Sequence, residues 1–460
     1  MEDQKMNIQQ SLSLLVDFYE LTMAVSYFEH RREAKASFDL FIRRLPENRS
    51  YFVVAGLEDA LEFLKNLHFD AGACEFLKQQ GKFSDAFLEY LSALRFSGDV
   101  WALPEGELCF PNEPIIRVVA PIIEAQLVES FLLNTINLQT TIATKASRVV
   151  TASQKKAVYD FSLRRTHGSD AALKVARAAY LAGFQGTSNC LAGLQYKIPV
   201  VGTMAHSFVM SFENEADSFK AFARTFPNSA ILLVDTYDTI QGVKNAIKVA
   251  QDLEEKGSQL KAIRLDSGNL IKLSRISRRM LDKARLPLVK IFASGNLDEF
   301  KIEELLRAKA PIDSFGVGTN MGVSKDAPYC DVIYKICEIT NNEGQFLPTM
   351  KLSAEKVTYP GRKQVFRLLD SQGMFAKDII ALEDEAIEGR PLLKKVIEEG
   401  KDIYSPKDLE DARRFAQDNM KRLPEKYKKL KNSPQYPVEI SPKLKKLTKT
   451  VVRYIKKRSR

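Results

Sequence analysis

The chain is poor in the residues that mark several large classes of protein. It has five cysteines, at 74, 109, 190, 330 and 337. They are scattered, odd in number and form no CxxC pair, which argues against a disulfide framework or a structural zinc site and fits free thiols in a reducing cytoplasm. It has four histidines and one tryptophan. No HExxH, no Ser-His-Asp arrangement and no GxxxxGK[ST] occurs, so metalloprotease, triad-hydrolase and P-loop chemistry have no motif to rest on. No apolar run reaches the roughly 18 residues of a membrane-spanning helix. The opening MEDQKMNIQQ is polar and lacks the apolar segment of a secretory signal.

What is present is a long chain of 460 residues, 45% hydrophobic, with a net charge of +10. That length suits two or three domains, or one barrel with additions, at roughly 100–200 residues per domain. The charge is uneven. Residues 401–460 hold 19 Lys or Arg against 7 Asp or Glu, an excess of 12 over a total of +10, which leaves −2 for the first 400 residues. A nucleic-acid role would rest on this tail alone. Basic runs are more often solvated faces, and no zinc-finger or RNA-binding signature accompanies it, so no nucleic-acid partner is expected.

The first 140 residues mix elements without a regular repeat. Residues 12–29 have apolar side chains three and four apart and read as a helix, as do 51–67 and 84–95. Residues 36–45 alternate like a strand, and 100–121 are short apolar pieces broken by Pro and Gly. A long apolar helix follows at about 122–150. From residue 197 the pattern becomes regular. IPVVGTMAH (198–206), AILLVDTYD (230–238), AIRLDSGN (262–269), VKIFASGN (289–296) and IDSFGVGTN (312–320) recur at intervals of roughly 20 to 30 residues, most with a helical pattern between. Each apolar run ends in small or polar residues. Repeated strand–helix units with buried strands imply a parallel sheet, and polar residues gathered just after the strands suggest an α/β barrel with its site at the carboxyl-end face. A doubly wound open sheet is the alternative. Strand-like segments return at 332–339 and 363–370. The expected division is an α+β domain at 1–140 completed by 330–400, a catalytic α/β domain at 141–329, and a basic helical C-terminal extension at 401–460.

The chemistry-bearing candidates cluster after those runs. SGN (294–296) and GVGTN (316–320) can turn backbone N–H groups toward a phosphate, although an ordinary tight turn would have the same composition. In RLDSG (264–268), Arg264 offers a fork of donors for phosphate or carboxylate, and Asp266 can hold Mg²⁺ or ribose hydroxyls. A purely structural Arg–Asp pair would look the same. Asp235 and Asp238 in VDTYD add carboxylates. His206 is the one histidine ending an expected strand, and histidine serves as base or as nucleophile toward phosphorus; a lone histidine is more often structural. FSLRRTHG (161–168) sets Arg164 and Arg165 beside Phe161, which suits a planar anion or merely a basic surface turn. Together these point to a small planar or phosphorylated anion, several phosphates and Mg²⁺, without selecting a reaction.

These segments resemble the nicotinate phosphoribosyltransferase family. The matching pieces are LLVDFYELTMA (14–24), SFDLFIRRLP (37–46), ALPEGELCFPNEPIIRV (102–118), SLRRTHG (162–168), GFQGTSNCLAG (183–193), PVVGTMAHSFVMSF (199–212), LLVDTYDT (232–239), IRLDSGNL (263–270), ASGNLDE (293–299), FGVGTN (315–320) and QYPVEIS (435–441). The resemblance covers nearly the whole chain, in order. It implies a type II phosphoribosyltransferase with an incomplete α/β (TIM-like) barrel, making nicotinate mononucleotide and pyrophosphate from nicotinate and phosphoribosyl pyrophosphate. ATP hydrolysis and Mg²⁺ are implied, as is a head-to-tail homodimer with shared sites, all in the cytoplasm with no membrane association. The Mg²⁺ ligands are not identified. By the same resemblance His206 is the histidine that ATP phosphorylates, Tyr19 stacks on the pyridine ring across the dimer, and Phe161 lies on its other face. Arg164, Arg264 and Asp266 surround the pyridine and ribose phosphate, while Gly295, Gly316 and Gly318 belong to phosphate turns; Arg165, Asp235 and Thr319 are expected as further substrate-binding residues. The sister family that uses nicotinamide typically has Asp where GTSN places Ser188. Ser188 can donate to a carboxylate, which favours nicotinate.

Overall fold

The computed structural model describes residues 12–352, 358–404 and 408–458. The fold is mixed α/β, and the chain divides into two compact units, residues 1–141 with 329–460, and residues 142–328. Among the described residues no helix is long and apolar enough to cross a membrane.

The first unit is built on a seven-stranded antiparallel sheet. Its order is Phe346–Pro348, Val332–Thr340, Lys35–Ile42, Pro114–Pro121, Asp99–Ala102, Lys394–Glu398 and Lys401–Asp402. The central strand Lys35–Ile42 is buried on both faces beyond its first residue. Its one buried acidic residue, Asp39, is paired with Lys363 Nζ at 2.8 Å, as a buried carboxylate requires. Phe38 stacks on Tyr334 with ring centroids 4.7 Å apart. A smaller sheet joins Lys363–Leu369 and Phe375–Leu382 to Val438–Ile440.

Two expectations need correction in this unit. Residues 51–67 are not helical throughout. Phe52–Val53 is a strand paired with Leu108–Cys109, and the helix runs over Leu57–Lys65. Gly56, with φ of 102°, separates the two, because that left-handed backbone suits glycine. The tail after 401 does contain helices, Leu409–Arg422 and Pro442–Arg458. It also supplies Lys401–Asp402 and Val438–Ile440 to the two sheets, so it is woven into the first unit.

The second unit holds five parallel strands: β1 (Ala157–Asp160), β2 (Ile231–Leu233), β3 (Ala262–Leu265), β4 (Lys290–Ala293) and β5 (Ser314–Val317). Their order is β1-β5-β4-β3-β2. Beyond β1 the parallel pairing continues through single bridges, Asp160 to Thr187 and Thr187 to Val200. The strand expected over 198–206 shrinks to that one bridge. The Val201 N–H donates to the Thr187 carbonyl at 2.9 Å, and Val200, Val201, Gly202 and Thr203 line a cavity of about 910 Å³. Ile231, Phe292 and Tyr159 line the same cavity, so both ends of the strand order face one space. Helices Thr239–Glu254, Leu270–Lys283 and Glu299–Arg307 follow β2, β3 and β4. Asp238, Asn269 and Asp298 cap their first turns through side-chain bonds to backbone N–H groups. Asp238 thus has a structural post.

Candidate active site

Each parallel strand of the second unit ends by handing its next residues to a loop, and the polar ends lie side by side. After β3 come Asp266 and Ser267; after β4, Ser294 and Gly295; after β2, Asp235 and Thr236. Arg264, the penultimate residue of β3, ties them together. Its Nε donates to Ser294 Oγ at 2.8 Å. Nη1 donates to Thr203 Oγ1 at 2.9 Å and the Met204 carbonyl at 3.3 Å, and Nη2 donates to Asp266 Oδ1 at 2.7 Å. The Arg264 side chain is only 12% exposed. Its guanidinium is thus largely committed to shaping the site, and its carbon Cζ lies 5.5 Å from the centre of the Phe161 ring.

Asp266 also accepts from Ser294 Oγ at 2.5 Å. Burial pushes its pKa up, but the Ser294 bond, the charge and bond of Arg264 and the nearby His206 together outweigh it, so the carboxyl lies below its ordinary value. It is therefore an anion throughout the neutral range. Asp235 takes the N–H of Asp266 at 2.9 Å and the Ser267 hydroxyl at 2.6 Å, both on Oδ2. Its other oxygen, Oδ1, is buried without a hydrogen-bond partner among the described residues.

His206 begins the helix His206–Met210. Nδ1 is 3.1 Å from Thr236 Oγ1, and Nε2 is 3.9 Å from Asp266 Oδ2 with the side chain 43% exposed. The ring is held on one edge and accessible on the other.

The glycines have different jobs. Gly295 has φ of 92°, and a Cβ there would overlap the backbone oxygen of Asp266. The turn after β4 can approach β3 only with glycine. Gly318 caps the short helix Thr319–Gly322, and Asn320 Nδ2 donates to the Asn296 carbonyl at 3.0 Å, linking the two turns. Gly316, expected in a turn, lies within β5. A Cβ there would strike the rings of Phe161 and Phe292, which stack 5.6 Å apart. It makes room for aromatics.

Phe161 follows β1 directly. Arg164 and Arg165 close a short 3₁₀ turn, Leu163–Arg165, and both are exposed; neither makes an ion pair among the described residues. Ser188 is half-buried and donates its backbone N–H to the Asp160 carbonyl at 2.8 Å. The second unit therefore carries His206, Arg264, Asp266, Asp235, Phe161, Ser188, Gly295, Gly318 and Thr319 at the ends of adjoining strands. Tyr19 belongs to the first unit, in the first turn of helix Phe18–His30, with 48% exposure. Sequence reading passed over Thr203, Thr236, Ser294 and Asp160 as separate contributors. The first three stood inside motifs already singled out, while Asp160 had no signal beyond ending a short apolar run.

Models of nicotinate phosphoribosyltransferase domains match three segments of the chain: the N-terminal domain over residues 14–137, the family over 156–345 and the C-terminal domain over 386–448. A nicotinate phosphoribosyltransferase of Mycobacterium tuberculosis is 48% identical over 94% of this chain and 92% of its own length. One from Bacillus subtilis is 40% identical over 94% and 93%. The crystal structure of human nicotinic acid phosphoribosyltransferase superposes with a TM-score of 0.85 at 29% identity, covering 95% of this chain and 99% of that one. On this agreement of sequence and structure along nearly its full length, the chain belongs to the nicotinate phosphoribosyltransferase family.

Proposed function

We propose that the chain transfers the phosphoribosyl group of phosphoribosyl pyrophosphate to nicotinate, for NAD biosynthesis in the cytoplasm. ATP hydrolysis is coupled to the transfer. The observation that carries this reading is the convergence of His206, Arg264, Asp266 and Asp235 beside Phe161 at the ends of adjoining parallel strands, in a chain of this family. The parallel sheet, with both ends of its strand order facing one cavity, supports reading this unit as an incomplete α/β barrel.

The pyridine nitrogen of nicotinate carries its own lone pair, so the N–C1′ bond can form without a general base. The C1′–O bond breaks as it does so, and its electron pair leaves with pyrophosphate. Catalysis then rests on positioning and fixed charge. Phe161 offers a ring face to the pyridine. Arg165, Arg164 and the Ser188 hydroxyl offer donors to its carboxylate. Asp266 faces the positive charge that develops on the ribose. The turns at Gly295 and at Gly318–Thr319 receive phosphate oxygens on backbone N–H groups. Asp235 and Asp266 fit Mg²⁺, since the buried Asp235 Oδ1 lacks a hydrogen-bond partner among the described residues and Mg²⁺ sites commonly combine one or two carboxylates with substrate phosphates. Bound there, the cation would neutralise pyrophosphate charge.

His206 is the ATP-reactive group. In the tautomer whose Nδ1 donates to Thr236 Oγ1, 3.1 Å away, Nε2 has the lone pair that attacks the γ-phosphorus, and ADP leaves. Tyr19 supplies the second ring face from a partner subunit of a homodimer. Incubation with nicotinate, phosphoribosyl pyrophosphate and Mg²⁺ should yield equal amounts of nicotinate mononucleotide and pyrophosphate, and ATP should raise the final extent. Product formation that ATP leaves unchanged in rate and extent removes the coupling. Absence of the mononucleotide under both conditions removes the transfer.

A further inference from the structure

The acceptor end of the site is organised by a residue that itself faces no substrate. Asp160 ends β1 and is 1% exposed. Its Oδ1 accepts the Ser162 N–H at 2.9 Å and the Ser162 hydroxyl at 2.5 Å. Its Oδ2 accepts the Thr187 hydroxyl at 2.7 Å. Thr187 Oγ1 in turn accepts the N–H of Asn189 at 3.0 Å. The backbone of Asp160 adds two bonds, its N–H to the Gly186 carbonyl at 2.9 Å and its carbonyl from the Ser188 N–H at 2.8 Å.

The tied residues are the chain neighbours of two others. Asp160 and Ser162 flank Phe161, and Thr187 and Asn189 flank Ser188. Ser162 also accepts the Arg165 N–H on its carbonyl at 2.7 Å, so the turn bearing both arginines starts from the same anchor. A Cβ at Gly322 would strike Ser162, which leaves that anchor no room to shift toward the Thr319–Gly322 helix. Burial favours the neutral form of Asp160 and raises its pKa, and the bonds from Ser162 and Thr187 oppose the rise. A carboxylate this deep is costly unless each oxygen is satisfied, and here each oxygen has a donor from a different loop. Asparagine could accept from only one of the two loops.

We infer that Asp160 is a positioning residue: through Ser162 and Thr187 its carboxylate sets the ring of Phe161 and the hydroxyl of Ser188 at the mutual distance that one pyridine carboxylate requires. This rests on the reading that Phe161 and Ser188 contact nicotinate. The loops on either side are fixed to a single point, so loosening the Thr187 tie, with Ser162 still packed against the Thr319–Gly322 helix, should blur acceptor recognition while leaving the phosphate turns, which hang from β4 and β5, in place.

The test is steady-state kinetics on the full-length protein with both substrates varied, for Thr187→Val, Thr187→Ser and Asp160→Asn, alongside thermal melts. Thr187→Val removes one donor at nearly constant volume. Losing one hydrogen bond to a charged group should raise the KM for nicotinate by about tenfold or more, with the KM for phosphoribosyl pyrophosphate within about twofold. Thr187→Ser, which keeps the hydroxyl, should bring the nicotinate KM back near the wild-type value, and Asp160→Asn should behave like Thr187→Val. If both KM values rise together, or if only the melting temperature falls, Asp160 is a structural tie and the inference is wrong. Active wild type with an unchanged nicotinate KM in Thr187→Val and Asp160→Asn overturns this inference alone. Wild type that makes no nicotinate mononucleotide overturns the acceptor reading beneath it.

Discussion

Replacing Asp266 by Asn changes one charge with almost no change of shape, and the surroundings set the size of the effect. Asp266 receives Arg264 Nη2 at 2.7 Å and Ser294 Oγ at 2.5 Å. Arg264 keeps its bonds to Ser294, Thr203 and Met204 but loses its counter-ion. Breaking a fully buried pair costs about 3–5 kcal/mol. The Asp266 side chain is 29% exposed and Asn retains an acceptor, so a loss of about 1–2 kcal/mol is expected, or roughly 2–8 °C in melting temperature. The sign with pH follows from the depressed pKa. The carboxylate contributes its stability in full above the ordinary value of 3.8 and loses it as pH falls through the lower folded value. The gap between wild type and Asp266→Asn should therefore be widest near neutrality and close below about pH 4. If Asp266 faces the reacting ribose as proposed, catalysis should suffer more than folding, and kcat should fall by about 100-fold or more. Thermal melts from pH 3 to 8 and initial rates at pH 7.5 measure both. A variant with wild-type kcat would refute the role of Asp266 at the reacting centre, and a stability gap independent of pH would refute the electrostatic account of the pair.

His206→Asn should abolish incorporation of acid-labile label from γ-labelled ATP and the stimulation of synthesis by ATP, while some ATP-independent synthesis survives; wild-type labelling of the variant would exclude the residue. Inactive Tyr19→Ala and inactive His206→Ala proteins, mixed under conditions of subunit exchange, should recover part of the activity, because a mixed dimer keeps one complete site. A fully active monomer in sedimentation contradicts that. Glu20 is fully buried, with Oε1 bonded by Ser130 at 2.5 Å. Burial, Glu129 and Asp17 push its pKa up to about 7 against the Ser130 bond. Between its ordinary 4.5 and about 7 the folded chain holds a proton that the unfolded chain has lost, so the group costs stability as pH rises through that window, on the order of 3 kcal/mol above it. Glu20→Gln should therefore melt higher than wild type at pH 8 and no higher at pH 5; the same difference at both pH values would refute the assignment.

Strands β2 to β5 were legible because each is a short apolar run that stops at a polar or glycine residue, a pattern that burial on both faces imposes, whereas β1 (Ala157–Asp160) went unread and the strand expected over 198–206 is a single bridge. Asp235 and Asp266 were legible for the same reason, since both come just after such a strand, while His206 begins a helix and not the strand end expected of it. The network among them was not. Arg264 meets Ser294 and Thr203 from 30 and 61 residues away in the chain, and nothing local records such pairings. Gly316 looked like its neighbour Gly318 in GVGTN, yet one makes room for two aromatic rings and the other opens a turn. Only the positions of Phe161 and Phe292 separate them. Val438–Ile440 sits in a basic, proline-bordered segment whose composition suggests a tail. It is a strand because Phe375–Leu382 offers it an edge.

The most direct test of the account is a competition in one vessel: purified protein, Mg²⁺, ATP and labelled phosphoribosyl pyrophosphate with equal concentrations of nicotinate and nicotinamide, and the labelled mononucleotides separated by mass. The arrangement of Phe161, Arg164, Arg165 and Ser188 predicts nicotinate mononucleotide as the dominant product, accompanied by pyrophosphate and ADP. Nicotinamide mononucleotide as the dominant product, or no labelled mononucleotide at all, would contradict it.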